Sequence, residues 1–351
     1  MTVLYFGIYK PDFSRNRIYM RGLRENGVTV LECRDESPGL IKFWRLWRKH
    51  RALRGRYDII VVGYAGHLVV PFARLISRKP IVADMLGSLG DAELHSHTPS
   101  LWRKILSALV DRIAIASADV VLLESAAQKV FFAEEFGPSP KYRVLYTGAD
   151  ETVFHCNYPK RKDPLIVLFR GRLTPESGIL HILRAAEILK YEKGLRFRVL
   201  AAGGPLLPAA EKMIEQRGLS NVHLISKYLS DDILRESMCD ASISLGQFED
   251  NPRLSRTIPH KAFESFAMGI PYISGDAAIR EIGRDGDTCF FIPLANPGAI
   301  AKKIMELYDD PALMNRVGSA AKREFEKCFS SKALGAELSR ILHESIRIRG
   351  R

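Results

Sequence analysis

Lys261 and Glu264 stand three residues apart in Pro259-His260-Lys261-Ala262-Phe263-Glu264, a spacing that sets an ammonium and a carboxylate on one side of a helix. Near a helix start, where N–H groups lack intrahelical partners and the macrodipole is positive, such a lysine suits phosphate. The glutamate can accept hydrogen bonds from a hydroxylated ligand such as ribose, with backbone groups around Thr257, Ile258 and Pro259 beside it. An ordinary surface Lys–Glu pair has the same spacing. Arg172 follows the apolar run 165–169 within Arg170-Gly171-Arg172-Leu173. There a guanidinium can grip a diphosphate through two parallel hydrogen bonds, although a surface arginine in a turn is the plainer reading. Glu249 can face a ligand hydroxyl or belong to a solvated acidic turn. In the first half, Arg15, Asn16, His67, Asp84, Ser88 and Asp91 offer groups that can bind a sugar or phosphate. The same residue types cap helices and build turns. No histidine cluster suggests a metal site, the Asp-x-Asp at Asp285-Gly286-Asp287 reads as structural, and no side chain stands out as a covalent nucleophile.

The elements that must position these groups are readable from hydrophobic pattern. Pro259 suits a first helical turn because it has no N–H to leave unpaired. Phe263, Phe266 and Ala267 make one apolar face, while Gly269 and Pro271 end the helix. Strand candidates at 3–8, 28–31, 57–62, 80–83 and 119–123 alternate with helix patterns. A second series follows at 165–169, 197–202, 222–225, 241–245, 272–274 and 289–292. Each series predicts a parallel, doubly wound sheet, whose ligands sit outside the carboxyl ends of the strands. That rule sets 14–16, 66–67 and 84–91 along one edge of the first sheet.

The 351 residues suggest two domains, and 46% hydrophobic with 26% charged residues is ordinary for a globular chain. No uncharged apolar run reaches the ~18 residues of a membrane-spanning helix. The first residues lack a basic lead and a cleavage site, and read as a buried strand. Five scattered cysteines suggest neither a disulfide framework nor a zinc site, which fits a reducing, cytoplasmic setting. A net charge of +12 favours anionic partners. Residues 40–56 hold basic residues and no acid. As a helix, they would gather Leu40, Phe43, Trp44 and Trp47 into an apolar patch suited to an anionic bilayer surface. Tryptophans packed on the sheet are the alternative. No nucleic-acid-binding module accompanies the basic charge.

The stretch 257–271 resembles the donor-binding helix of retaining GT-B-fold glycosyltransferases of family four, in the subgroup with a Pro-x-Lys-x-Phe-Glu signature. The segment 144–154 is similar to the family's Asn-Gly-Val-Asp-x-x-x-Phe, with Thr147 and Ala149 departing from it. The resemblance implies a GT-B architecture of two Rossmann-like domains facing across a cleft. An acceptor-binding domain would span 1–156, a linker 157–164 and a donor domain 165–330, with a last helix over 331–351 returning to the first domain. It implies that Arg172 and Lys261 hold the donor diphosphate and Glu264 the ribose. Gly171, Ser177, Lys227, Tyr228, Thr257, Ile258, Pro259 and Glu249 would line the donor site. Arg15, Asn16, His67, Asp84, Ser88 and Asp91 would belong to the acceptor side. The chain departs from the family where Ser177 replaces a lysine, where Arg256 replaces the first glutamate of Glu-x7-Glu, and where Leu86 stands near an expected histidine, with His95 and His97 shortly after. The implied activity moves a sugar, with retention and without metal or cofactor, from a UDP- or GDP-sugar to a glycan or lipid-linked hydroxyl at the inner face of a membrane. The alternatives are a nucleotide-sugar epimerase of the same fold and a catalytically degraded partner subunit.

Overall fold

The computed structural model describes residues 1–94, 100–156 and 163–349. His95, His97 and all of the expected linker except Asp163 and Pro164 lie outside the described residues.

The chain forms two compact units, Met1–Gly148 with Phe329–Arg351, and Ala149–Cys328. In the first, elements run β1 (Thr2–Gly7), α1 (Ser14–Glu25), β2 (Thr29–Arg34), α2 (Ile41–Leu53), β3 (Ile59–Val62), α3 (Val69–Ile76) and β4 (Ile81–Leu86). Then come α4 (Leu89–Leu94), α5 (Leu101–Ser117), β5 (Val120–Leu123), α6 (Ala126–Phe136) and β6 (Tyr142–Val144). The six strands pair in parallel in the order β2-β1-β3-β4-β5-β6. Ile59, Ile60, Val61 and Val62 are wholly buried, as expected of parallel strands covered on both faces. One face carries Leu46 of α2, Val69, Val70 and Ala73 of α3, Ala114 of α5 and Phe132 of α6.

The second unit runs β7 (Leu165–Arg170), α7 (Ile179–Ile188), β8 (Leu195–Leu200), α8 (Leu207–Gln216), β9 (Val222–Ile225), α9 (Asp231–Cys239) and β10 (Ile243–Leu245). It continues with α10 (His260–Ala267), β11 (Tyr272–Gly275), β12 (Phe290–Ile292), α11 (Pro297–Asp309) and α12 (Pro311–Cys328). Its sheet, also parallel, has the order β12-β11-β10-β7-β8-β9. The chain ends in α13 (Ser331–Arg349), which belongs to the first unit. There Leu334, Leu338, Ile341 and Leu342 share a core with Val3, Tyr5, Ile18 and Leu23 on the sheet's other face. α13 crosses α1 at two glycines: a Cβ on Gly22 would lie 2.0 Å from the Ser331 carbonyl oxygen, and one on Gly335 2.1 Å from the Gly22 carbonyl carbon.

Two expectations need correction. The first unit ends at Gly148 and not at 156: the Arg170 guanidinium sits 5.6 Å over the Phe154 ring, and His155 and Cys156 pack beside α9. That packing brings the Cα atoms of Cys156 and Cys239 to 5.6 Å, and the two are joined as a disulfide across 83 residues. The expectation of no disulfide framework thus meets one bonded pair, while Cys33, Cys289 and Cys328 are free.

Candidate active site

In the second sheet the connections run one way from β7 and the other way from β10, so the boundary between these neighbours is a topological switch point. β7 ends in Arg170 and leads into Gly171 and Arg172; β10 ends in Leu245 and leads to Gln247. A cavity of about 450 Å³ opens there. Arg170, Gly171 and Arg172 form one wall, Lys227 and Tyr228 beyond β9 another, and Gln247 with Pro259, His260 and Lys261 a third.

Helix α10 is fixed to the sheet from within. Phe263 and Phe266 are buried, and the Ser265 hydroxyl lies 2.8 Å from that of Ser244 on β10. It also donates to the Lys261 carbonyl at 2.7 Å. This anchoring aims Lys261 back over the end of β7, with its Nζ 4.0 Å from the centroid of the Phe169 ring. Gly171 makes room for it: its φ is +144°, and a Cβ there would stand 3.3 Å from Lys261 Nζ. Lys261 keeps some exposure to the cavity, yet burial pushes its ammonium down to about 7, and the Arg170 charge adds to that against the opposing pull of Glu264. Arg170 and Arg172 line the same cavity as Lys261, so its wall is rich in positive charge.

Arg170 is the residue that sequence reasoning missed. Its Nη1 is ion-paired with Glu264 Oε2, whose carboxylate is buried behind the arginine and does not line the cavity. The signal was present in Arg170-Gly171-Arg172, where a second arginine flanks the same glycine at the end of the strand. Gln247 and His260 also line the cavity without having been singled out. Of the expected donor-site residues, Gly171, Arg172, Lys227, Tyr228, Pro259 and Lys261 come together. Four others do not. Ser177 is buried, donates to the Thr174 carbonyl and accepts from the Ile179 N–H at the start of α7. Ile258 is in the core. The Thr257 N–H is taken by the Arg253 carbonyl. Glu249 lies 3.4 Å from His181 Nε2.

The first-unit candidates make contacts within their own unit. Asp84 belongs to strand β4, which runs three residues past the stretch predicted over 80–83. Arg15 and Asp84 are buried and paired in a two-pronged contact, Nε to both carboxylate oxygens at 2.9 Å. Arg15 Nη1 also donates to the Leu145 carbonyl and to Thr147 Oγ1. Burial of an arginine demands such pairing. Asn16 is buried and binds the Tyr5 hydroxyl, the Tyr64 N–H and the Lys10 and Tyr64 carbonyls. His67 is buried with Nε2 3.1 Å from the Gly87 carbonyl. Burial lowers its affinity for a proton, although Asp111 lies 3.8 Å away. Ser88 donates to Asp111, and the Asp91 N–H donates to Ser88. These contacts engage many of the polar atoms that the sequence suggested for a sugar, while His67 Nδ1 is buried without a hydrogen-bond partner.

Two doubly wound units, one with a cationic cavity at its switch point, put the chain in the class of GT-B folds. Within that class, residues 150–324 match the family model described as Glycosyl transferases group 1, and the chain belongs to that family. It is 25% identical over 267 residues to alpha-D-kanosaminyltransferase of Streptomyces kanamyceticus, covering 72% of this chain and 68% of that one. It is 29% identical over 315 residues to D-inositol 3-phosphate glycosyltransferase of Streptomyces bingchenggensis, covering 83% of this chain and 67% of the relative. Its fold is similar to that of Anabaena HepE solved in complex with UDP and glucose, with a TM-score of 0.76 at 16% identity over 98% of this chain and 100% of that one.

Proposed function

We propose that the protein is a retaining glycosyltransferase that carries a sugar from a UDP- or GDP-sugar to a hydroxyl of a glycan or lipid-linked acceptor. The nucleotide sugar is its only co-substrate, and no metal takes part. The second unit holds the donor and the first serves the acceptor, whose contacts are unassigned. Arg170, Arg172 and Lys261 would take the donor diphosphate and Lys227 and Tyr228 the base. Glu264 would position Arg170 against the diphosphate. As the bond from the anomeric carbon to phosphate oxygen breaks, charge grows on the leaving diphosphate, and three fixed cations stabilise it. The acceptor oxygen bonds to the anomeric carbon on the same face, and the leaving phosphate takes the acceptor's proton. Peripheral contact with an anionic membrane surface through residues 40–56 is part of this reading.

The observation that supports it best is the convergence of these three cations on one cavity at the switch point. Calorimetry with UDP, GDP and their sugars tests it. Binding of one nucleotide is expected, weakened about 10–100-fold by Arg172→Ala, as for a lost charge-assisted hydrogen bond. Absence of binding to every nucleotide by the folded protein would remove the reading.

A further inference from the structure

Helix α5 has its hydrophobic side turned outward. Leu101, Trp102, Ile105, Leu106, Leu109 and Ile113 recur at the i, i+4, i+7 spacing of one helix face, and each is between 44% and 75% exposed. The inward face carries the small Ala114 and the buried Asp111. A surface helix of a water-facing domain has the opposite polarity, and a contiguous apolar face of this kind marks a docking surface.

The neighbouring helices extend it. α2, α3 and α5 cover the same side of the first sheet, and Phe43 of α2 meets Phe72 of α3 edge-on at 5.2 Å. On α2 it is Leu46 and His50 that face inward, whereas Trp44 and Trp47 are 52% and 38% exposed. Arg48 and Arg51 lie over those two rings at 5.2 and 4.9 Å. All three tryptophans of the chain, Trp44, Trp47 and Trp102, thus stand exposed on one side of one unit. Charge on the three helices is one-sided as well. α2 carries five lysines and arginines, α3 one and α5 three, against a single acid, the buried Asp111. Arg103 also faces Glu93 on α4 at 3.8 Å.

We infer that α5 is a membrane-inserting helix, its apolar face entering the headgroup and acyl boundary of an anionic bilayer while α2 binds the surface charge. Tryptophan and leucine on the inserted face with arginine and lysine beside it are what such an interface selects. An uncharged apolar partner would not account for the basic charge and the absence of an exposed acid on these helices. The inference rests on the proposed membrane contact of 40–56 only for α2, and it does not depend on the donor chemistry.

Because every tryptophan lies on this surface, emission of the full chain reports on it directly. In Trp44→Phe/Trp47→Phe, Trp102 is the sole reporter; in Trp102→Phe, the α2 pair is. With phosphatidylglycerol-containing vesicles, Trp102 emission is expected to shift to the blue and to be quenched by lipids brominated on their acyl chains. Vesicles of phosphatidylcholine alone should do much less. Leu106→Glu/Leu109→Glu should weaken co-sedimentation about tenfold or more with an unchanged circular dichroism spectrum. Trp102 emission indifferent to anionic vesicles overturns the inference, even if the α2 tryptophans respond and the contact of 40–56 survives. Blue-shifted Trp102 emission without lipid, together with a doubled mass in light scattering, also overturns it and makes the face an interface with a second copy. If Trp102 responds and the α2 pair does not, α5 stands as the anchor and the contact of 40–56 falls.

Discussion

Lys261 sets the proton balance of the cavity. Its ammonium is lowered to about 7, and an anionic diphosphate would favour the charged form and raise that value. The bound state then holds more protons than the free state, so nucleotide affinity is flat below about pH 7 and falls as pH rises from there toward the bound-state value. Calorimetry at pH 8 in buffers of different ionisation heat should reveal uptake of a fraction of a proton, and Lys261→Met should abolish it. Two arginines separate binding from scaffolding in the same way. Arg172→Ala should leave the fold intact and lower turnover about 10²–10³-fold, as for a lost transition-state donor. Arg15→Ala should cost about 3–5 kcal/mol of stability by leaving Asp84 buried and unpaired, with turnover of the remaining folded fraction unchanged. Equal effects of the two on urea unfolding would contradict the assignment. What distinguishes them was only half legible. Lys261 and Glu264 share a helix, where three-residue spacing implies proximity. Arg15 and Asp84 are 69 residues apart, and nothing in either local pattern says that each is the other's partner.

At the scale of elements, the end of β7 and the start of α10 form the site, and a glycine lets them meet. Gly171→Ala would introduce a Cβ at a φ of +144° and press it toward Lys261 Nζ. The expected outcome is a stability loss of about 1–3 kcal/mol, as for other strained backbone positions, together with weaker nucleotide binding. Thermal unfolding with and without nucleotide measures both. A fully retained ligand-induced shift in melting temperature would show that the Lys261 position does not depend on Gly171. Both sheets were legible because buried parallel strands are unbroken apolar runs, such as 59–62 and 165–169. β6 (Tyr142–Val144) was not, since three edge residues hold too little pattern to separate from a loop. The strand read over 80–83 stops short of Asp84 for a related reason. An aspartate inside a strand reads as a turn residue until its partner is known.

The first unit is discontinuous in the chain, and this has a consequence for how the molecule comes apart. The first unit is completed by α13, which returns after the whole second unit has been made. Leu334, Leu338, Ile341 and Leu342 fill one face of the first sheet, so a chain cut before Ser331 leaves Val3, Tyr5 and Ile18 partly uncovered. Fully burying each of those α13 side chains is worth about 1.5–3 kcal/mol, and four of them are comparable to the entire stability of a domain. A 1–330 chain should therefore aggregate or expose surface to a hydrophobic dye. Residues 149–328, by contrast, hold a complete core and every residue lining the cationic cavity. Expressed alone, that segment should fold cooperatively and bind nucleotide within a few-fold of the full chain, yet transfer no sugar. Nucleotide binding that vanishes in a well-folded 149–328 segment would mean that the first unit contributes to the donor site. The three cations would then be only part of it.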